Sequence, residues 1–121
     1  MKMIKFSFEG DIKPAPRPRL GKFGAYMPRD YQQLKAVIAE QAKLAMAGRN
    51  PILENVSVKI LFRRKYKVNS RRYGDLDNLS KIIFDSCNGI CFNDDSQIVS
   101  LFAEKVQSDN AGVEVQIAIA D

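Results

Sequence analysis

The chain has no histidine and no tryptophan, and only two cysteines in 121 residues. Without an imidazole, every mechanism that needs a histidine base is excluded, as is any histidine-ligated zinc. Cys87 and Cys91 lie four residues apart and make no disulfide framework. Lacking two further soft ligands they make no zinc site either, and they read as small buried hydrophobes. No apolar run approaches the ~18 residues that span a bilayer. The opening MKMIKFSFEGD has neither an apolar h-region nor a small-residue cleavage site, so no signal peptide is expected. The glycine-rich phosphate loop that ends in Gly-Lys-Ser/Thr is missing, which argues against NTP hydrolysis and a nucleotide cofactor. These absences lead to the expectation of a cytoplasmic chain in a reducing compartment, away from membranes.

What is present is an ordinary globular composition, 45% apolar and 27% charged, at a length that suits one domain. The net charge is +5, from 19 Lys and Arg against 14 Asp and Glu. Its distribution says more than its size. Residues 63–72 hold Arg63, Arg64, Lys65, Lys67, Arg71 and Arg72 with no acid among them. Residues 75–95 then hold Asp75, Asp77, Asp85, Asp94 and Asp95 with one lysine, Lys81. An earlier stretch adds Lys13, Arg17, Arg19 and Lys22, again without an acid. Such charge runs are often no more than solvated surface. Two of them from separate parts of the chain, the second interleaved with Tyr66 and Tyr73, favour a nucleic-acid surface. Arg17, Arg19, Lys22, Arg63, Arg64, Lys65, Lys67, Arg71 and Arg72 are the candidate DNA contacts.

Hydrophobic periodicity places these segments. Ile4, Phe6 and Phe8 alternate with Lys5 and Ser7, which predicts a half-buried strand. The run KPAPRPRLGKFG, residues 13–24, holds three prolines in five residues, which deny it a regular ladder and predict an extended loop. A short strand is expected over residues 23–27. Asp30 with Gln33 reads as a capping box ahead of a helix whose face is Tyr31, Leu34, Val37, Ile38, Gln41, Leu44 and Ala45, ended by Gly48 and Pro51. Val56, Val58, Ile60 and Phe62 predict a strand, and the basic run after it a loop. Leu76, Leu79, Ile82, Ile83 and Cys87 predict a second helix closed by Asn88-Gly89. Residues 94–97 predict one helical turn. A strand fits residues 98–106 better than a helix, because Val99, Leu101 and Ala103 alternate with Ser100 and Glu104. Val113, Val115, Ile117 and Ile119 predict the last strand. The expected fold is α+β, a single small domain with a mixed β-sheet and two main helices.

The chemistry concentrates in the aspartates. In extended chain, residues two apart face the same way, so Asp75 and Asp77 can point at one place just before the helix. Like charges that close repel unless a cation lies between them, and Asp94-Asp95 repeats the situation. Carboxylates suit Mg²⁺, which takes one or two of them and keeps its waters. Two such ions can activate a water and stabilise the leaving oxygen of a phosphodiester. A plainer account exists for each acid. Asp75 or Asp77 can be a helix N-cap, Asp77 and Lys81 an i, i+4 ion pair, and Asp94 a cap for the next turn. Spacing alone leaves both accounts open.

The run GDLDNLSKIIFDSCNGICFNDDSQIV closely resembles the signature of the RusA-type endodeoxyribonucleases, Holliday-junction resolvases often found in prophages. That pattern is D-L-D-N-x-x-K, an apolar helix with an Asp, a Gly, then a short apolar stretch ending in D-D-x-Q. Here it falls on Asp75, Leu76, Asp77, Asn78, Lys81, Asp85, Gly89, Asp94, Asp95 and Gln97. The segment from Phe6 through Gly10 and PxPRPR to Arg19, and the Tyr26-Met27-Pro28 step, also resemble members of that family. The resemblance implies a homodimer that binds four-way DNA and cuts it symmetrically with Mg²⁺, in recombination and repair. It implies catalytic roles for Asp75, Asp77, Lys81 and Asp95; the metal set expected here is Asp75, Asp77, Asp94 and Asp95. The competing reading is a non-catalytic protein for branched or single-stranded DNA, whose acids are caps and salt bridges. A ribonuclease or other nucleotide hydrolase would keep the acids and change the substrate.

Overall fold

The computed structural model describes residues 3–13, 19–22, 24–65 and 75–120. Strand β1 (Met3–Glu9) is followed by a small hairpin, β2 (Arg19–Gly21) and β3 (Gly24–Tyr26). Helix α1 (Arg29–Met46), strand β4 (Val56–Arg64) and helix α2 (Leu76–Cys87) come next. A 3₁₀ turn (Asp95–Gln97), strand β5 (Ile98–Gln107) and strand β6 (Gly112–Ile119) complete the chain. The main sheet has the order β1-β6-β4-β5, antiparallel except between β4 and β5. It is the mixed sheet of an α+β domain, as expected. Parallel neighbours cannot be joined by a tight turn, and α2 lies in the crossover that β4 and β5 require.

The core follows from alternation. Ile4 and Phe6 stand opposite Ile117 and Val115, which in turn face Val58 and Ile60 across the next ladder. All six are buried, together with Val56, Phe62 and Val113. Ile38, Ala42 and Met46 of α1 and Leu79, Ile82 and Ile83 of α2 close over them. Each buried aliphatic side chain contributes roughly 1.5–3 kcal/mol relative to exposure, so this layer holds the molecule together.

The α1 details differ from the expected ones. The helix begins at Arg29 with Pro28 in the cap position and no side-chain cap bond. Asp30 instead accepts from the neighbouring Tyr31 amide at 3.0 Å, so the Asp30–Gln33 capping box does not form. Proline supplies a suitable φ one residue early, and Asp30 falls in the first turn, where the helix dipole favours an acid. The buried stripe is Tyr31, Ile38, Ala42 and Met46, while Val37 and Leu44 are exposed. The helix ends as expected near Gly48. Ala47 adopts the left-handed conformation at φ 52°, and Arg49 donates to the carbonyls of Met46 and Ala45.

Two further differences matter for function. Residues 19–21, expected in a loop, pair with β3. Arg63 and Arg64, assigned to the basic loop, are the last residues of β4. Strand β5 forms as expected but lies at the sheet's edge, with Val99, Leu101 and Phe102 exposed. Lys59 lies over the Phe102 ring at 5.6 Å. Among the described residues no helix is long and apolar enough to cross a membrane.

Candidate active site

Helix α2 carries the first pair of acids. Its apolar residues Leu79, Ile82, Ile83 and Cys87 face the core, which leaves Asp75, Asp77, Asn78 and Lys81 exposed. Asp75 is the N-cap, in extended conformation at φ −84° and ψ 158°, and its carbonyl accepts the first helical bond from Leu79 at 2.9 Å. Its carboxylate makes no cap hydrogen bond. Asp77 lies one residue inside the helix, so the expectation that both acids sit in extended chain is corrected. Both lie at the first turn instead, at the end of the helix where the dipole favours negative charge. No ion pair within 4.0 Å joins Asp77 to Lys81. The capping and ion-pair accounts therefore explain neither Asp75 nor Asp77.

Asp94 is different. Its Oδ2 accepts from the Ser96 amide at 3.0 Å, and it forms a capping box with Gln97. The hydrogen bonds from Ser96 hold its carboxyl below the usual aspartate range. Gln97 is the rivet of this turn. Its Oε1 accepts from the amides of Asn93 (2.8 Å) and Asp94 (3.0 Å). Its Nε2 donates to the carbonyls of Ile52 (2.8 Å) and Glu54 (2.9 Å). The turn is thereby fastened to the segment before β4, and Asp95, the next residue, is exposed on it. Asp94 behaves as a cap that presents Asp95, with one of its oxygens already engaged.

Among the described residues no three Asp, Glu or Cys side chains gather into a cluster that could hold a metal ion. Neither the four acids Asp75, Asp77, Asp94 and Asp95 nor the trio Asp75, Asp77 and Asp95 is thus gathered around one point. Asp75, Asp77 and Asp95 nevertheless offer exposed hard-oxygen donors, and Mg²⁺ needs only one or two carboxylates beside its waters. The donor chemistry suits that ion and suits no soft metal. Cys87 and Cys91 are both buried and hydrogen-bonded to each other, away from any such role.

Two contacts that periodicity did not reveal support α2. The Tyr31 hydroxyl donates to Asp85 Oδ2 at 2.6 Å, joining the start of α1 to the far half of α2. Burial, with this bond and the Asp85 charge, raises the Tyr31 phenol above its ordinary range. Ser86 Oγ donates to the carbonyls of Ile82 (2.6 Å) and Lys35 (3.3 Å). Asp85 and Gln97 stood in the sequence as motif letters; their partners, Tyr31 and residues 52–54, are distant in the chain.

The basic residues divide. Lys22 and Lys65 are exposed. Arg63 is instead engaged with Glu9 (2.9 Å), Glu114 (3.3 Å) and the Asn110 carbonyl (3.1 Å). Arg64 is only 2% exposed, bonded to the Ile12 carbonyl and 3.6 Å from Asp11. Their assignment as DNA contacts is corrected: alternation along β4 sends one guanidinium to each face of the sheet, where carboxylates meet it. Arg17, Lys67, Arg71 and Arg72, with Tyr66 and Tyr73, lie outside the described residues, as does the side chain of Arg19.

No curated protein matches the chain at a significant level. Residues 9–118, which include both turns that carry the acids, match a family described as Endodeoxyribonuclease RusA. The chain belongs to the RusA endodeoxyribonuclease family.

Proposed function

We propose that this protein is a Mg²⁺-dependent endonuclease that resolves four-way DNA junctions by paired symmetric incisions, working as a homodimer in recombination and repair. The family match over residues 9–118 carries the reading. The uncapped carboxylate of Asp75 and the exposed carboxylates of Asp77 and Asp95 supply the hard-oxygen donors that such a reading needs. Asp75, Asp77 and Asp95 would hold Mg²⁺, which when bound supplies an activated water and neutralises charge on the scissile phosphate. Lys81, one turn beyond Asp77, orients a carboxylate or the attacking water, or adds positive charge at that phosphate. Lys22, Lys65 and the basic residues beside them in sequence hold the DNA backbone. Asp94 keeps Asp95 in place.

A non-catalytic DNA binder accounts poorly for the acids. Carboxylates beside phosphates repel the ligand, and neither Asp75 nor Asp77 is used as a cap bond or ion pair. A nicking assay separates the readings. The expected result is Mg²⁺-dependent paired nicks in a synthetic four-way junction and little cutting of linear duplex. Binding without nicks supports the non-catalytic reading, and cleavage confined to RNA supports a ribonuclease.

A further inference from the structure

The 3₁₀ turn Asp95–Gln97 buries none of its residues, and Asn93, Asp94, Asp95 and Ser96 are all exposed. Hydrogen bonds inside 3₁₀ turns have poor geometry. With no apolar side chain to bury, this turn is held in place by polar contacts. Those contacts converge on one side-chain amide. Gln97 Oε1 serves the cap through the Asn93 and Asp94 amides, and Nε2 reaches outside the turn to the Ile52 and Glu54 carbonyls.

The capping box needs only the oxygen edge, and glutamate fills that position as well as glutamine does. The nitrogen edge is what demands glutamine. An ionised carboxylate donates nothing, and here it would face two carbonyl oxygens. Those carbonyls belong to a segment that is itself fastened at both ends. Ile52 is buried, forms an isolated bridge with Phe92 and donates its amide to the Cys91 carbonyl at 2.8 Å. Cys91 in turn donates its amide to the carbonyl of Cys87, the last residue of α2, at 3.0 Å. At the other end the Asn55 carbonyl accepts from the Ala120 amide, just past β6, at 2.8 Å. Residues 52–55 are a strut between the end of α2 and the end of β6, and Gln97 hangs the Asp95 turn from it.

We propose that Gln97 is the positioning residue of Asp95. The grip of Nε2 on the strut fixes where the Asp95 carboxylate stands, and with it the capacity of that carboxylate to hold a divalent cation. Gln97 itself touches neither cation nor DNA. The inference rests on the reading of Asp95 as a metal ligand, but the grip has a signature without metal.

That signature is backbone order from NMR relaxation. Gln97→Glu keeps the acceptor edge and turns the donor edge into a repelling one. The order parameters of Asp95 and Ser96 should fall from a rigid value of about 0.85 to below about 0.6, with β5 as rigid as in the wild type. Unchanged order overturns the proposal whatever Asp95 binds. The metal readout uses Mn²⁺ alone, which shares the oxygen preference of Mg²⁺, and follows paramagnetic broadening of the Asp95 and Ser96 amide signals. Simple electrostatics predicts tighter Mn²⁺ binding in Gln97→Glu, because a carboxylate has been added nearby. Positioning predicts the opposite: the same broadening at several-fold higher Mn²⁺. Equal or tighter binding refutes it. Gln97→Asn covers the case in which the charged variant fails to fold. It keeps the amide on a side chain one methylene shorter, which reaches the cap or the strut and not both. The same loss of order and the same weakening of Mn²⁺ are expected, and wild-type behaviour overturns the proposal. A wild-type protein whose Asp95 signals stay sharp with Mn²⁺ overturns the metal-ligand reading, and the order parameters then decide by themselves whether Gln97 holds the turn.

Discussion

Asp75 and Asp94 both occupy N-cap positions, yet only Asp94 uses its carboxylate as a cap. The difference separates the roles of two residues that look alike in sequence. Asp75→Asn and Asp95→Asn should each keep junction binding, because removing negative charge does not weaken attraction to phosphates. Each should abolish cutting by removing a hard ligand for Mg²⁺. Parallel gel-shift and nicking assays check this, and wild-type cutting by the Asp75 variant would make that residue structural. Asp94 should show itself through pH. Its folded pKa is depressed by the Ser96 bonds. Its stabilising effect is therefore present above the unfolded value, about 3.9, and is lost as pH falls through the lower folded value. The Ser96 and Gln97 amide resonances should shift in that acid range and stay constant at neutral pH. In Asp94→Ala the acid transition should be missing.

At the scale of elements, the point most exposed to a small change is the start of β6. Gly112→Ala places a methyl group against Arg63 and the Phe8 carbonyl. Either the Arg63–Glu9 pair breaks or the β1–β6 ladder shifts. Overpacking of this kind costs about 1–3 kcal/mol, which urea denaturation would register as a lower midpoint. Helix α2 is secured differently. Its apolar stripe buries it, while the Tyr31–Asp85 bond and the Ser86–Lys35 bond tie it to α1. The end that carries Asp75 and Asp77 projects beyond these ties.

For the whole molecule, charge and symmetry set the expectations. Neutralising Arg71 and Arg72 together should weaken binding to every DNA tested, since phosphate contacts carry little sequence information. The salt slope should shrink by roughly one unit for each phosphate that the variant no longer neutralises. An unchanged slope would mean that these arginines are merely solvated. Paired incisions at symmetry-related strands suit a C2 dimer, which presents two identical sites about one axis. Val99, Leu101 and Phe102 on the edge strand leave apolar surface for a second subunit. Light scattering at micromolar concentration should report a dimer. A monomer that stays monomeric on a junction and still makes paired cuts would refute this.

Strand and helix identities were legible in the sequence because alternation and 3.6-residue spacing report directly on burial. The order of the acid motif was legible too, and the family match covers it. The beginning of α1 was misjudged because Pro28 supplies an entry that competes with a side-chain cap. Val37 and Leu44 fit the helical period but fall just outside the stripe that the sheet covers, so periodicity found the helix and missed its rotation. The basic run misled at Arg63 and Arg64 for a related reason. Charge is visible in one dimension, but Glu9, Asp11, Ile12 and Glu114 lie about fifty residues away along the chain. Only the folded sheet, with Gly112 of β6 between β1 and β4 where Arg63 meets Glu9, brings them together. The sequence by itself determined the order of strands and helices and the order of the acid motif that the family match covers. The tertiary structure decided which charges remain at the surface, because a charge is engaged or free only through partners that folding delivers.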